Sequence, residues 1–358
     1  MQRKVALLFG GESPEHEISI LSASKVGAAL DQLIGTQTIP IYVTKTGMWH
    51  WSRPSGDIPS EELIQAVTND EAFARNYSPS GISFAQALLH LSVDEFATVL
   101  IIMHGANGED GRLQGAFELA GICYTGSGSA ASALAMDKSR CQAYLEARGL
   151  PIPKFMPLPR GAYSDADAVG IVANEIGLPC VVKPSGCGSS VGVTIVRDRE
   201  QLDAALKMAF EYGELVQVEE FIQGREFTCG VLDSGKTTAL PVTEIIVPKA
   251  TFFDYKAKYT PGVTREVTPA EIDAALARRI QELAVEAHRA VGCEGFSRVD
   301  FMADADGPKI LEINTIPGMT QTSLLPQAAV VAGIQMPELM NIIIEHSIRR
   351  AGGVEVSA

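Results

Sequence analysis

Two short stretches bring together residue types that handle phosphate and metal. In V-V-K-P-S-G-C-G-S-S-V-G (181–192), Lys183 closes a short apolar run and is followed by a loop of glycines and serines. Small residues let backbone N–H groups approach an anion closely, and a lysine beside them adds a point charge. In a Walker A loop the lysine follows the glycines, so this is not one. A glycine flap closing over nucleotide phosphates accounts for the composition; a plain Gly/Ser turn is the bland alternative.

The second stretch is F-S-R-V-D-F-M (296–302) with I-L-E-I-N (310–314). Both alternate with period two, and A-D-A-D-G-P-K between them is turn-forming, which predicts an antiparallel hairpin. Arg298 and Asp300 then share a face with Glu312 and Asn314, while Val299, Phe301, Leu311 and Ile313 form an apolar opposite face. Two carboxylates and an amide on a rigid sheet suit Mg²⁺, which is held by one or two carboxylates plus substrate phosphates. An arginine beside them would neutralise a transferring phosphoryl group. A solvated hairpin with a surface ion pair is the plain reading, but Asn314 runs straight into the ordered-looking turn T-I-P-G-M-T. Lys138 in A-M-D-K-S-R could be a second phosphate-directed cation, and Glu219 and Glu226 in V-E-E-F-I-Q-G-R-E-F could accept from an adenine amino group and a ribose hydroxyl. Taken singly, each is an ordinary surface residue.

The elements around these stretches are legible. Lys4 to Phe9 reads as a strand, Gly10-Gly11 as a tight turn, and Ser13-Pro14 as a capped helix start. T-I-P-I-Y-V (38–43) and T-V-L-I-I-M (98–103) are further apolar strands, and helical segments between them imply a parallel sheet covered on both faces. The stretch 52–80, rich in Ser, Pro and acids, reads as an insertion over that sheet. A helix is expected from about Ser132 to Arg148, and L-P-I-P-K-F-M-P-L-P-R (150–160) reads as a linker. Helices at 165–176 and 200–211 and a strand at 215–221 follow. The long loop 248–262 precedes a helix with a capping box at Thr268 and Glu271, an apolar stripe through Ile272, Leu276, Ile280, Leu283, Ala287 and Val291, and a stop at Gly292.

Composition bounds the rest. The chain has 358 residues, 46% of them hydrophobic and 20% charged, enough for a large core in two or three domains. A formal net charge of −14 argues against general nucleic-acid or membrane-surface binding, since nothing offsets repulsion from phosphates. The six cysteines show no C-x-x-C or zinc-ligand spacing and read as structural or incidental thiols. Met1 to Phe9 imitates the front of a signal peptide, but the run is short and enters Gly10-Gly11, so a first strand and a cytoplasmic location are expected.

Seven ordered segments resemble the D-alanine–D-alanine ligases of the ATP-grasp superfamily: 8–19, 103–115, 124–138, 182–192, 253–259, 297–301 and 312–326. The resemblance spans essentially the whole chain. It implies an α/β, three-domain ATP-grasp architecture, with an N-terminal doubly wound parallel-sheet domain and two α+β domains clasping ATP. The domains expected are 1–127 with an insertion at about 45–90, then 128–220 with the flap, then 221–358 with the metal site and the mobile loop 248–262. It implies that Lys138 and Lys183 contact the ATP phosphates, Glu226 holds the ribose, Glu219 and backbone groups near Ile222 meet the adenine, and Glu220 and Lys258 complete the ATP site. Asp300, Glu312 and Asn314 would ligate two Mg²⁺ ions, with Mn²⁺ an acceptable substitute. Glu15, Ser189 and Tyr259 would close the loops over the first D-alanine, Glu15 facing its ammonium, with His104 near its carboxylate. Arg298 and the N–H of Gly318 would stabilise the tetrahedral centre, and Ser323 and Leu324 would hold the second carboxylate. The resemblance also implies a homodimer.

Two positions depart from that pattern. Glu220 stands where relatives carry a lysine, with little effect expected because the position uses its backbone. Ile316 stands where serine is frequent, next to Pro317-Gly318, and could shift the oxyanion turn. A D-alanine–D-lactate ligase or another ATP-grasp carboxylate–amine ligase is the nearest rival, and Tyr259 in A-K-Y favours the amine-using branch. A dinucleotide-binding oxidoreductase would need G-x-G-x-x-G after the first strand, and it is missing. A catalytically dead nucleotide binder would be expected to lack one of Lys183, Arg298, Asp300 or Glu312, and all are present.

Overall fold

The computed structural model describes residues 3–52, 58–78, 80–188, 191–246 and 264–352. The first apolar run forms β1 (Arg3–Gly10), which is followed by α1 (His16–Leu30), β2 (Thr36–Val43) and β3 (Trp49–Trp51). Helices α2 (Ser60–Gln65), α3 (Asp70–Asn76) and α4 (Phe84–Val93) lead to β4 (Thr98–Ile101) and α5 (Arg112–Ala120). The sheet order is β3–β2–β1–β4, parallel except for the antiparallel edge strand β3. Along β1, Val5, Leu7 and Phe9 enter one apolar cluster and Ala6 and Leu8 the other, so both faces are covered. The insertion is therefore partly sheet: β3 extends it, and Ile64 and Tyr77 join the cluster that holds Val5, Leu7 and α1. The first helix begins at His16 rather than at Ser13-Pro14, because Ser13 Oγ instead accepts from Glu15 N–H at 3.1 Å and donates to His104 O at 2.7 Å.

The helix expected over 132–148 is two helices, α6 (Ser129–Met136) and α7 (Lys138–Ala147). Asp137 breaks them: its backbone is extended, and its side chain accepts from Arg140 N–H as the cap of α7. The proposed linker contains β5 (Phe155–Pro159), an edge strand, the place in a sheet where prolines are tolerated. α8 (Asp165–Glu175), β6 (Cys180–Pro184), β7 (Thr194–Val196), α9 (Arg199–Phe210) and β8 (Leu215–Glu220) complete an antiparallel sheet of order β5–β8–β6–β7. Val216 and Val218 face its apolar core with Cys180 and Val182. By period two, Gln217 and Glu219 face the other way, toward the cleft with Lys183.

A third sheet follows from β9 (Arg225–Asp233), β10 (Thr237–Ala239), β11 (Thr243–Ile246) and β12 (Arg265–Val267). α10 (Ala274–Val291), β13 (Phe296–Asp304), β14 (Gly307–Asn314), α11 (Leu324–Val331) and α12 (Met336–Ala351) end the described chain. The sheet order is β12–β11–β9–β13–β14, with β10 paired to β9. The cap of α10 is Asp273, whose Oδ1 accepts from the N–H groups of Ala275 and Leu276 at 2.9 Å. A carboxylate at that place outcompetes a threonine by also meeting the positive end of the helix dipole, and Thr268 hydrogen-bonds Thr243 instead. The stripe from Ile280 to Val291 is buried as expected, and Gly292 ends the helix in the left-handed region. Leu232, Phe296, Leu325, Leu339, Ile343 and Ile344 share one cluster with Val5, Leu7 and Phe9, so the last described helix packs on the first sheet. No single helix among the described residues is long and apolar enough to cross a membrane.

Candidate active site

The hairpin β13–β14 brings its four polar residues together. Arg298 is paired with Asn314 and Asp300 with Glu312 across the strands. Asp300 is a hub: Arg298 donates from Nε to Oδ1 at 2.8 Å and from Nη2 to Oδ2 at 2.7 Å, Asn314 Nδ2 reaches Oδ2 at 3.1 Å, and Thr228 Oγ1 donates to Oδ1 at 2.6 Å. The apolar face differs from expectation by one residue. The register shifts between Asp300 and Phe301, so Phe301 faces Ile310 and Leu311 is the bulged residue. Ile310 therefore joins Val299, Phe301 and Ile313 in the core, while Leu311 is half-buried and its carbonyl accepts from Gln142 Nε2 at 2.9 Å.

Two lysines approach from the other side. Lys138 opens α7, whose start is stapled to the end of β6: Ser185 Oγ donates to Asp137 Oδ1 at 2.6 Å and accepts from Ser139 N–H at 3.0 Å. Its ammonium donates to Cys187 O at 2.7 Å and lies 3.1 Å from Glu312 Oε2. Burial works against that charge, but Glu312 beside it outweighs burial and holds the ammonium above its ordinary pKa. Lys183 and Glu219, both buried, pair at 2.7 Å. The second oxygen of Glu219 accepts from Gln217 Nε2 at 3.0 Å and Gln142 Nε2 at 3.3 Å, and Ser139 Oγ donates to Gln217 at 3.0 Å. The residues expected at opposite ends of a nucleotide thus touch each other.

Glu226 lies on β9 opposite Met302 and next to Ile245, half-buried on the same sheet as the hairpin. Ile222 is buried just beyond β8. Glu220 turns away, its carboxylate accepting from Lys309 Nζ at 2.8 Å and Lys154 N–H at 2.9 Å, which together outweigh burial and hold it below the usual carboxylate range.

The N-terminal sheet supplies the third wall. Its turn needs glycine: at Gly10 (φ +91°) a Cβ would stand 2.2 Å from the Val43 carbonyl. His16 steadies the same loop, with Nδ1 2.6 Å from Gly11 O and Nε2 3.2 Å from the Tyr42 hydroxyl. Glu15 lies at the head of α1, wedged between two glycines: a Cβ on Gly105 would sit 3.0 Å from its Oε2, and one on Gly188 of the flap 3.2 Å. His104 is buried, and burial pushes its pKa down. Its Nδ1 lies 3.0 Å from Ile316 O and its Nε2 3.3 Å from Ser22 Oγ. Since that carbonyl can only accept, Nδ1 carries a proton, and burial favours the uncharged ring. Gly318 lies against Ser323, whose Oγ a Cβ there would approach to 2.9 Å. Ser323 stands at the N-cap position of α11, but its Oγ accepts from Thr320 N–H at 3.0 Å and does not cap the helix, and Leu324 is the first helical residue.

Glu109 is a site residue that sequence reasoning missed. It is half-buried beside Glu15, accepting from Gly105 N–H at 2.6 Å and Ile316 N–H at 3.3 Å, and burial together with Glu15 nearby pushes its carboxyl up to about 8. An acid framed by glycines directly after a buried strand, in H-G-A-N-G-E-D-G, was the available signal. Ser189, Lys258 and Tyr259 and the loop 248–262 lie outside the described residues. All six cysteines are free, and four of them are buried.

The donor set facing the cleft on the hairpin is all oxygen and amide, with no sulfur or imidazole among its members, which fits a hard cation such as Mg²⁺. Asp300 and Glu312 are at present neutralised by Arg298 and Lys138, so both anions are already poised against positive charge.

The sequence profiles of the D-ala D-ala ligase N-terminus and C-terminus match residues 4–127 and 144–345. The chain is 41% identical over 355 residues to the D-alanine–D-alanine ligase of Leptospira interrogans serogroup Icterohaemorrhagiae serovar Lai, covering 97% of this chain and 99% of that one. It is 40% identical over 345 residues to that of Syntrophobacter fumaroxidans, covering 95% and 96%. Among solved structures it resembles the VanG D-Ala:D-Ser ligase from Enterococcus faecalis, with a TM-score of 0.83, 35% identity and coverage of 97% and 100%. It also resembles the D-alanine–D-alanine ligase from Coxiella burnetii, with a TM-score of 0.80, 28% identity and coverage of 98% and 95%.

Proposed function

Because the chain belongs to the D-alanine–D-alanine ligase family, we propose that it joins two D-alanine molecules into D-alanyl-D-alanine with ATP, for peptidoglycan precursor synthesis. The observation that carries this reading is the Lys138–Glu312 contact, which closes the phosphate-directed lysines onto the metal-and-arginine hairpin in a single cleft.

A carboxylate oxygen of the first D-alanine attacks the γ-phosphorus, the bond to the ADP oxygen breaks, and D-alanyl phosphate forms. The amine of the second D-alanine then attacks the acyl carbon, loses a proton, and phosphate leaves. Lys138 and Lys183 hold the phosphates, and Glu219, Ile222 and Glu226 take the adenosine, with Glu220 contributing backbone. Asp300, Glu312 and Asn314 would hold two Mg²⁺ ions (or Mn²⁺), whose chemistry is to neutralise the phosphate oxygens during transfer. Glu15 receives the first ammonium. A neutral His104 offers a dipole rather than a cation near the first carboxylate. Arg298 and the Gly318 N–H meet the oxyanion of the tetrahedral centre, and Ser323 with the Leu324 N–H at the head of α11 receives the second carboxylate. An acylphosphate hydrolyses in water, so the flap and the segment with Ser189, Lys258 and Tyr259 have reason to close over it. The place of Gly188 against Glu15 supports a flap that reaches the first substrate. A homodimer and a cytoplasmic location belong to the same proposal.

D-serine and D-lactate are the rival second substrates. Phosphate release from MgATP is measured with D-alanine alone and with D-alanine plus D-serine or D-lactate, and products are identified by mass. D-alanyl-D-alanine as the main product is expected. A mixed dipeptide or depsipeptide in excess would move the chain to another branch, and no turnover would overturn the reading.

A further inference from the structure

We infer that Ile316 is a positioning residue that tethers the Pro317-Gly318 turn to the N-terminal sheet. The inference rests on the proposed function for the role of Gly318. Ile316 follows β14 in sequence, yet its side chain is 2% exposed and packs in the cluster of Leu8, Ile101, Met103 and Phe117, on one face of the first sheet. Met319, three residues later, is fully buried in the cluster of Leu7 and Phe9, on the opposite face. The turn therefore straddles the end of the sheet with an apolar anchor on either side.

The backbone is fixed to the same unit. Ile316 N–H donates to Glu109 Oε1 at 3.3 Å, and Ile316 O accepts from His104 Nδ1 at 3.0 Å. Met319 N–H donates to Ser22 Oγ at 3.3 Å. With the imidazole proton on Nδ1, His104 Nε2 accepts from the Ser22 hydroxyl at 3.3 Å. One chain of hydrogen bonds thus runs from Met319 through Ser22 and His104 to Ile316. Gly318 lies between the two anchors, so the first sheet fixes its N–H, while the hairpin fixes Arg298. The two oxyanion donors come from different units, and Ile316 keeps them in register. A misplacement of about 1 Å in such a group costs on the order of 10²-fold in rate.

The test uses the full chain with Ile316→Ala and Ile316→Val. Ile316→Ala is expected to lower kcat for dipeptide formation roughly 10- to 100-fold with the KM for ATP changed less than about twofold, while Ile316→Val stays within about threefold of wild type in kcat. Amide exchange at positions 315, 316, 318 and 319, read without substrates, is expected to accelerate in Ile316→Ala and not in Ile316→Val. Wild-type kcat in Ile316→Ala, or unchanged exchange at those positions, would overturn the tether. Because exchange is read on the ligand-free protein, a wild type that makes no D-alanyl-D-alanine would overturn the proposed function while leaving the tether to be judged by exchange.

Discussion

Two polar clusters face the same cleft and are built on opposite terms. Where β6 and β8 meet α7, Lys183, Glu219, Gln217, Gln142 and Ser139 are buried and hydrogen-bond one another, with Gln142 also reaching Leu311 O on the hairpin. On the hairpin, Arg298, Glu312 and Asn314 are only half-buried, and the contacts around Asp300 include groups assigned to metal and substrate. Breaking the buried network would strand charges in a low dielectric, so Lys183 and Glu219 give up a partner only in exchange for nucleotide groups, whereas the hairpin's ion pairs lie nearer to solvent. Substitutions in the first should register in stability as well as in nucleotide binding, and in the second mainly in rate.

The largest effect is expected where a buried charge is stranded. Lys183→Met leaves Glu219 without its cation and should destabilise by about 3–5 kcal/mol, seen as a lower urea midpoint. Lys183→Met/Glu219→Gln should recover a good part of that loss, because the amide needs no counter-charge. A single variant as stable as wild type would erase the contrast between the clusters. Arg298→Ala should act first on rate, lowering kcat about 10²- to 10³-fold with nucleotide affinity nearly kept, while the urea midpoint falls less than in Lys183→Met because Thr228 and Asn314 still bond the buried Asp300. Turnover like wild type would remove Arg298 from the chemistry. Glu312→Gln is expected to raise the Mg²⁺ concentration for half-maximal activity roughly tenfold or more; an unmoved metal titration would take Glu312 out of the metal site.

The smallest effect concerns Glu109, which lies between the clusters in character. Its carboxyl titrates near 8 in the folded chain, above its usual value near 4.5, so the folded state holds a proton that the unfolded chain has released. The stabilisation is complete below about pH 4.5 and is lost as pH rises toward 8. Glu109→Gln should flatten that part of the stability profile, measured as thermal midpoints from pH 5 to pH 9. Parallel profiles for variant and wild type would show that Glu109 is not protonated near neutrality.

Much of the hairpin was legible because period two is a local property, and Arg298, Asp300, Glu312 and Asn314 converge as their alternation required. One bulge at Leu311 exchanged the places of two apolar neighbours, and nothing in I-L-E-I-N announces it. The helix over 132–148 hid a break because Asp137 can sit within a helix or cap the next, and its contact with Ser185 decides between them. Glu109 was missed for a similar reason. Its partner Ile316 is 207 residues away, and no local pattern encodes that meeting. Ile316 looked in sequence like a perturbation of a turn and is, in the fold, a residue of another unit's core.

The apolar face of β1 that holds Val5, Leu7 and Phe9 is completed by Leu339, Ile343 and Ile344 of α12, and Arg3 reaches Glu345 and Asn341 on the same helix. During synthesis α1 follows β1 at once and covers part of that face, but the part that α12 completes stays open until nearly the whole described chain has been made. The first sheet must wait through about 300 residues of translation, on the order of 15–60 s at ordinary elongation rates, before its last layer arrives. A nascent chain of this kind gives chaperones a long interval in which to hold the exposed strands. Its final folding step is expected to be the docking of α12, not the assembly of the sheet that was made first.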